Sequence, residues 1–144
     1  TGRYNRNPMS ERNAVLFANE AFYAAFAERD VAAMDELWSR DAPVACIHPG
    51  WPALTDRLQV MQSWVRILAS ERAPKVACRR PEAFVYGDVA FVICYEEVDG
   101  SALVATNVFR REGQRWRIVH HQAGPTPAMP GEEDEEPESP SRPN

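Results

Sequence analysis

The chain lacks the features that membranes and nucleic acids require of a partner. Its longest apolar runs, Ala21 to Ala27 and Val89 to Tyr95, fall far short of the roughly 20 residues that a membrane-spanning helix needs. It also lacks a positive surplus. Sixteen Lys and Arg stand against 21 Asp and Glu, and residues 131–144 alone hold six acids and one Arg, which leaves residues 1–130 balanced. A body so balanced has no field to gather phosphate backbones or anionic lipid, so neither nucleic acid nor membrane is expected as a partner.

Cysteine is scarce. Cys46, Cys78 and Cys94 show none of the close pairings of a zinc site or redox motif and read as small core residues in a reducing compartment. Without a glycine-rich phosphate loop or a metal-ligand spacing, no cofactor and no metal is expected. The opening residues carry no basic leader ahead of an apolar stretch, and a soluble, cytoplasmic protein is the expectation.

What remains is one domain's worth of chain. Residues 1–9 are polar and are expected to be flexible, with Asn7-Pro8 as a breaker. Ser10 is placed to cap a helix running to about Arg29, with Val15, Ala18, Phe22 and Phe26 as its apolar stripe and Leu16 and Tyr23 widening it. Asp30 caps a short second helix that buries Val31, Met34, Leu37 and Trp38. A strand from Val44 to His48 leads into an irregular loop, Pro49, Gly50 and Pro52, that carries Trp51. Thr55 then caps a third helix to about Ser70, with Leu58, Met61, Val65 and Leu68 as its stripe, widened by Val60, Trp64 and Ile67.

From Pro74 on the periodicity changes to two. Lys75 to Tyr86, Asp88 to Asp99, Ser101 to Arg111 and Gln114 to Ala123 are β-rich runs separated by Gly87-Asp88, Asp99-Gly100 and Glu112-Gly113 turns, the pattern of an antiparallel meander. At about 3.3 Å per residue such runs are long enough that the twisted sheet must curl and acquire a hollow side. Both parities of Val89 to Tyr95 are apolar, so this strand is expected to be covered on both faces: by the helices on one, and by a second copy of the chain on the other. Residues 128–144, rich in Pro, Glu and Ser, are expected to be a disordered acidic tail.

Four segments carry a family resemblance: Phe22-Tyr23-Ala24-Ala25-Phe26 with Asp30, Leu37 through Val44, Cys46 through Trp51, and Trp116 through His121. In them the chain resembles the SnoaL-like branch of the nuclear transport factor 2-like, or ketosteroid isomerase-like, superfamily. The final Trp-to-His strand is also similar to the association domain of calcium/calmodulin-dependent protein kinase. The resemblance implies an α+β fold over residues 10–127, three N-terminal helices packed in the concave face of a curled antiparallel sheet, a cystatin-like cone. It implies a small bacterial protein that forms a homodimer through the outer sheet face and binds a hydrophobic small molecule in the cone. Isomerase, cyclase or dehydratase chemistry without a cofactor would accompany it, or else the role of a non-catalytic association or ligand-sensing module.

Carried over from ketosteroid isomerase, the base position falls on His48, the tyrosine position on Phe22 with Tyr23 adjacent, and the second acid on Asn107, so the isomerase triad itself is absent. His48, between apolar neighbours, suits a neutral general base. Asn107 shares parity with Leu103, Ala105 and Phe109 and is expected to point inward, to serve either a ligand oxygen or a loop. His120 and His121 point to opposite faces. The isomerase register sends His121 inward with Val119 and Ala123, and one bulge would reverse this. Phe22, Tyr23, Trp38, Trp51 and Trp64 are the expected walls for a flat ligand. Glu96 and Glu97, near a hairpin, are expected to be solvated at the rim.

Overall fold

A computed structural model describes residues 7–130. Three helices precede the main sheet: α1 (Pro8–Ala27), α2 (Val31–Leu37) and, after strand β1 (Ala45–Ile47), α3 (Arg57–Ala69). Four long strands follow, β2 (Val76–Tyr86), β3 (Val89–Val98), β4 (Ser101–Glu112) and β5 (Arg115–Thr126). They form the expected antiparallel meander. β1 adds to its far edge in parallel with β5, so the sheet is mixed rather than wholly antiparallel, in the order β1-β5-β4-β3-β2. Bulges between Arg79 and Glu82 and between Val108 and Phe109 add to the curl. α1 lies across β2, β3 and β5. The class is α+β. No helix among the described residues is long and apolar enough to cross a membrane. The tail expected to be disordered lies, from residue 131 on, outside the described residues.

The helix starts show where local signals compete. The cap of α1 is Asn7, not Ser10: its side chain accepts the backbone N–H of Met9 and Ser10, and Pro8 takes the first helical position. The pair that looked like a breaker is an Asn cap followed by a proline whose missing N–H costs a helix start nothing. The helix therefore begins three residues earlier than expected. Asp30 caps α2 as expected, accepting from Ala33 N–H at 3.0 Å. α3 is capped by Asp56 rather than Thr55.

α3 is also rotated from its expected face. Leu58 and Val65 are 65 % and 44 % exposed, while Val60, Met61, Ser63, Trp64 and Leu68 are buried. Two apolar stripes overlap on this helix, and the one carrying the indole of Trp64 fills the cone. The core it joins is built on Phe22, Met34, Trp38, Phe109 and Ile118. Val31, at the exposed start of α2, contributes less than expected.

The rotation is testable by urea unfolding. Leu68→Ala is expected to cost about 2–5 kcal/mol, as deletion of buried methyl groups does. Leu58→Ala should stay within about 0.5 kcal/mol. Equal losses at the two positions would contradict this placement of the helix.

Candidate functional site

β1 delivers its chain end into the cone. His48 follows it directly and is held by a tight turn in which Trp51 N–H donates to the His48 carbonyl at 2.9 Å, with Gly50 at φ 81°, a value glycine adopts freely. The imidazole is buried between Trp51 and Trp64, each ring 4.8 Å away and edge to face. Its Nε2 lies 2.9 Å from Ser63 Oγ, which itself donates to the Val60 carbonyl at 2.7 Å. With its proton so placed, Ser63 accepts, and the proton of His48 sits on Nε2. Nδ1 keeps its lone pair, with Cys46 Sγ 3.9 Å away. Burial disfavours the charged ring, lowering the His48 pKa from 6.5 to about 4.

His121 faces inward and His120 does not. The bulge in β4–β5 sets Ile118, rather than Val119, on the buried face with His121 and Ala123. His120, half-buried, donates from Nδ1 to the Ala45 carbonyl at 3.1 Å. His121 is fully enclosed, and burial first, with the neighbouring His48 and His120 next, lowers its pKa to about 3.

Asn107 stands directly across the sheet from His121 and is 0 % exposed. The amide is oriented by a longer chain of hydrogen bonds. Tyr23 OH donates to Glu96 Oε2 at 2.5 Å and therefore accepts from Asn107 Nδ2, at 3.2 Å. The second N–H of that nitrogen goes to Asn19 Oδ1 at 2.8 Å. Asn107 Oδ1 then faces His121 Nδ1 at 2.6 Å, and the proton lies on Nδ1. The sequence left Asn107 to serve either a ligand oxygen or a loop. Both of its N–H groups are already engaged, so it orients His121 instead.

Glu96 overturns an expectation. It was placed at a solvated rim and is 3 % exposed. Parity explains this: Ala90, Val92, Cys94 and Glu96 all share the inner face of β3, whereas Glu97 points outward to Arg79 at 3.0 Å. Burial raises the Glu96 carboxyl pKa, and the hydrogen bond from Tyr23 works against that. The Tyr23 hydroxyl is raised too, by burial first and the Glu96 charge second. Asn19, equally buried, was also missed. Strand parity would have found Glu96, whereas the apolar stripe of α1 concealed Asn19.

The expected apolar walls fare unequally. Phe22 and Trp64 pack on His121, with ring centres 5.1 and 6.0 Å away. Trp38 sits elsewhere, bridging Ile118 at the end of α2. An open chamber was expected, yet the space between His48 and His121, 6.4 Å apart, is closed in by the rings of Phe22 and Trp64. The nearest opening is a cleft of about 680 Å³ on the outer side of α3, bordered by Trp51, Leu54, Met61, Ser63 and Arg66. The Arg66 guanidinium lies 5.8 Å from the centre of the Trp51 ring. Among the described residues no group of three His, Cys, Asp or Glu is placed to hold a metal.

A family model for the SnoaL-like domain matches residues 15–128. F-box protein SKIP8 of Arabidopsis thaliana is 30 % identical over 112 residues, 76 % of this chain, and the chain spans about half, 48 %, of that protein's length. Among solved structures, a protein of the NTF2-like family from Streptomyces avermitilis, provisionally named a dehydratase, is 33 % identical with a TM-score of 0.78, covering 85 % of this chain and 100 % of that one. A protein from Thiobacillus denitrificans, provisionally named a calcium/calmodulin-dependent protein kinase type II association domain, is 31 % identical with a TM-score of 0.69, covering 87 % and 99 %. By sequence and by fold together, the chain belongs to the SnoaL-like domain family, among the nuclear transport factor 2-like proteins.

Proposed function

We propose that the chain binds a small, largely apolar molecule at the mouth of the cone, in the cleft that Trp51 and Ser63 border, and acts on it by acid–base chemistry without a cofactor, of isomerase, cyclase or dehydratase type. The observation that carries this reading is the pair of buried imidazoles. Each has one nitrogen anchored by a hydrogen bond, His48 through Ser63 and His121 through Asn107, and the other without a proton, that of His48 lying beside the Cys46 thiol at 3.9 Å. A neutral ring is the form a general base requires. Because burial makes both rings weak bases, the fitting substrate is one whose proton is already acidic, next to a carbonyl. His48, closer to the cleft through Trp51 and Ser63, is the base of this reading. The likeness to the Streptomyces avermitilis protein supports the dehydratase class. Three free thiols suit the reducing, cytoplasmic setting proposed with it.

A second reading, assembly, is favoured by the outer sheet face. Phe84 and Phe91 stack there at 4.8 Å, Tyr86 is 65 % exposed, and Val89 lies beside them. Exposed aromatic and aliphatic groups in one patch mark an interface, and a second copy of this chain is the partner proposed, in line with the likeness to the kinase association domain. Sedimentation is expected to give twice the 16.2 kDa chain mass, falling to the single mass in Phe91→Arg. A wild-type monomer at high concentration would dismiss the dimer.

The ligand reading is tested by thermal shift with cyclic ketones, lactones and small aromatic acids. At least one class should raise Tm, by about 2.7 kcal/mol of stabilisation at a hundredfold excess over Kd. His48→Gln should abolish turnover of that compound while the chain stays folded. Silence across the whole panel would leave only assembly.

The imidazoles also fix a pH dependence. Unfolded histidines take up protons near pH 6.5, whereas the folded His48 and His121 hold out to about 4 and about 3. The unfolded state thus binds more protons in that window. Stability is full above pH 6.5 and falls as pH drops towards 4, by about 3 kcal/mol for His48 alone. Glu96, raised by burial, takes its proton earlier in the folded state and offsets part of this fall. Tm measured from pH 7 to 4.5 should decline, and less steeply in His48→Gln. A flat profile would contradict the neutral buried rings.

A further inference from the structure

The cleft beside α3 holds a charge that the fold does not answer. Trp51, Leu54, Leu58 and Val65 give it apolar walls, Arg66 is the one charged residue on its border, and no acidic residue joins it there. Other clefts that carry an arginine also carry a glutamate: Glu36 beside Arg115 and Arg117, and Glu11 and Glu82 beside Arg12. Nor does the helix supply a counter-ion. The positions three and four residues either side of Arg66, where a helical ion pair forms, are Gln62, Ser63, Ala69 and Ser70. What Arg66 does meet is an aromatic ring: its guanidinium carbon lies 5.8 Å from the centre of Trp51. Contact with an indole steadies a guanidinium and uses none of its five N–H donors. No carboxylate pairs with them among the described residues.

We propose that Arg66 determines which ligand this cleft takes, and that the class is a small ring carrying a carboxylate. This rests on the reading above that the ligand lies at this mouth, and it names the group that recognises it. A planar guanidinium meets a carboxylate through two parallel hydrogen bonds, a match that neither a neutral ketone nor a lactone can make. The apolar walls then take the ring. Direction follows from the helix. Ser63 stands three residues before Arg66, on the same side and about 4.5 Å along the axis, and Ser63 Oγ is 2.9 Å from His48 Nε2. With its acid on Arg66 and its ring against Trp51, the ligand points its far end towards Ser63 and His48. A single arginine without a second cation on the border suits one negative charge, so a carboxylate fits better than a phosphate. Arg66 anchors the acid and touches no reacting atom.

The test compares isosteric probes on the full chain by titration calorimetry: benzoate against benzamide, and cyclohexanecarboxylate against its amide. Each acid should bind on the order of tenfold more tightly than its amide. Arg66→Gln should remove that preference without weakening the amide. Arg66→Lys, which keeps the charge but not the fork, should restore only part of it. Arg66 is exposed, so both variants should keep the wild-type Tm. Acid binding should also shift the Trp51 indole signal of the ¹⁵N-labelled chain, identified by its loss in Trp51→Phe. Amides, ketones or lactones that bind as tightly as the acids would overturn the inference and leave the acid–base reading standing, as would an acid preference that survives Arg66→Gln. If neither acid binds, the inference falls, and the ketone and lactone panel then judges the wider reading separately.

Discussion

A single amide ties this cone together. Asn107 reaches across to α1 through Asn19 and Tyr23 and along the sheet to His121, so one buried side chain links a helix, two strands and the ring nearest the centre. In the low dielectric of a core, each of those hydrogen bonds is stronger than in water, and each would be costly to leave unmade. The set is directional because one end is an acid. Glu96 accepts from Tyr23, which turns Tyr23 into an acceptor, which turns the amide, which sets the proton on His121. A carboxylate on β3 thereby decides the tautomer of a histidine on β5.

The same arrangement explains why the interior is closed where an open chamber was expected. Two imidazoles stripped of water stay neutral, and neutral rings pack against indole and phenyl faces without an unbalanced charge. Phe22, Trp64, His48 and His121 do so, with centroid separations of 4.8 to 6.4 Å. Related chains on this fold carry names as different as dehydratase and kinase association domain. The backbone alone does not separate such roles. The cone of this chain holds two histidines and a buried acid bound through a tyrosine.

Much of the architecture was legible because it is local. Turn pairs such as Asp99-Gly100, both with positive φ, bracket strands whose alternation is plain, and Asp30 caps its helix in the expected way. The misreadings arose where two local signals were equally good. Asn7-Pro8 reads as a breaker or as a cap, and α3 offers two apolar stripes of which only the size of Trp64, set against the cavity it fills, selects one. Glu96 lies inside because the alternation of β3 runs on through Ala90, Val92 and Cys94 to it, and the nearby hairpin does not interrupt that alternation. The inward choice of His121 over His120 depended on a bulge between Val108 and Phe109 that no residue type announces.

By itself, the amino-acid sequence determined the order of helices and strands and the α+β class. Those follow from periodicity, capping and turn chemistry, which act over a few residues. Only the tertiary structure decided what the buried groups do to one another. Asn107 meets Asn19 across 88 residues and Tyr23 across 84, and the donor of one hydrogen bond becomes the acceptor of the next only once the partners are in place. Hydrogen-bond direction, tautomer and ring basicity are properties of that assembled set, because each depends on a neighbour that the chain brings close only by folding.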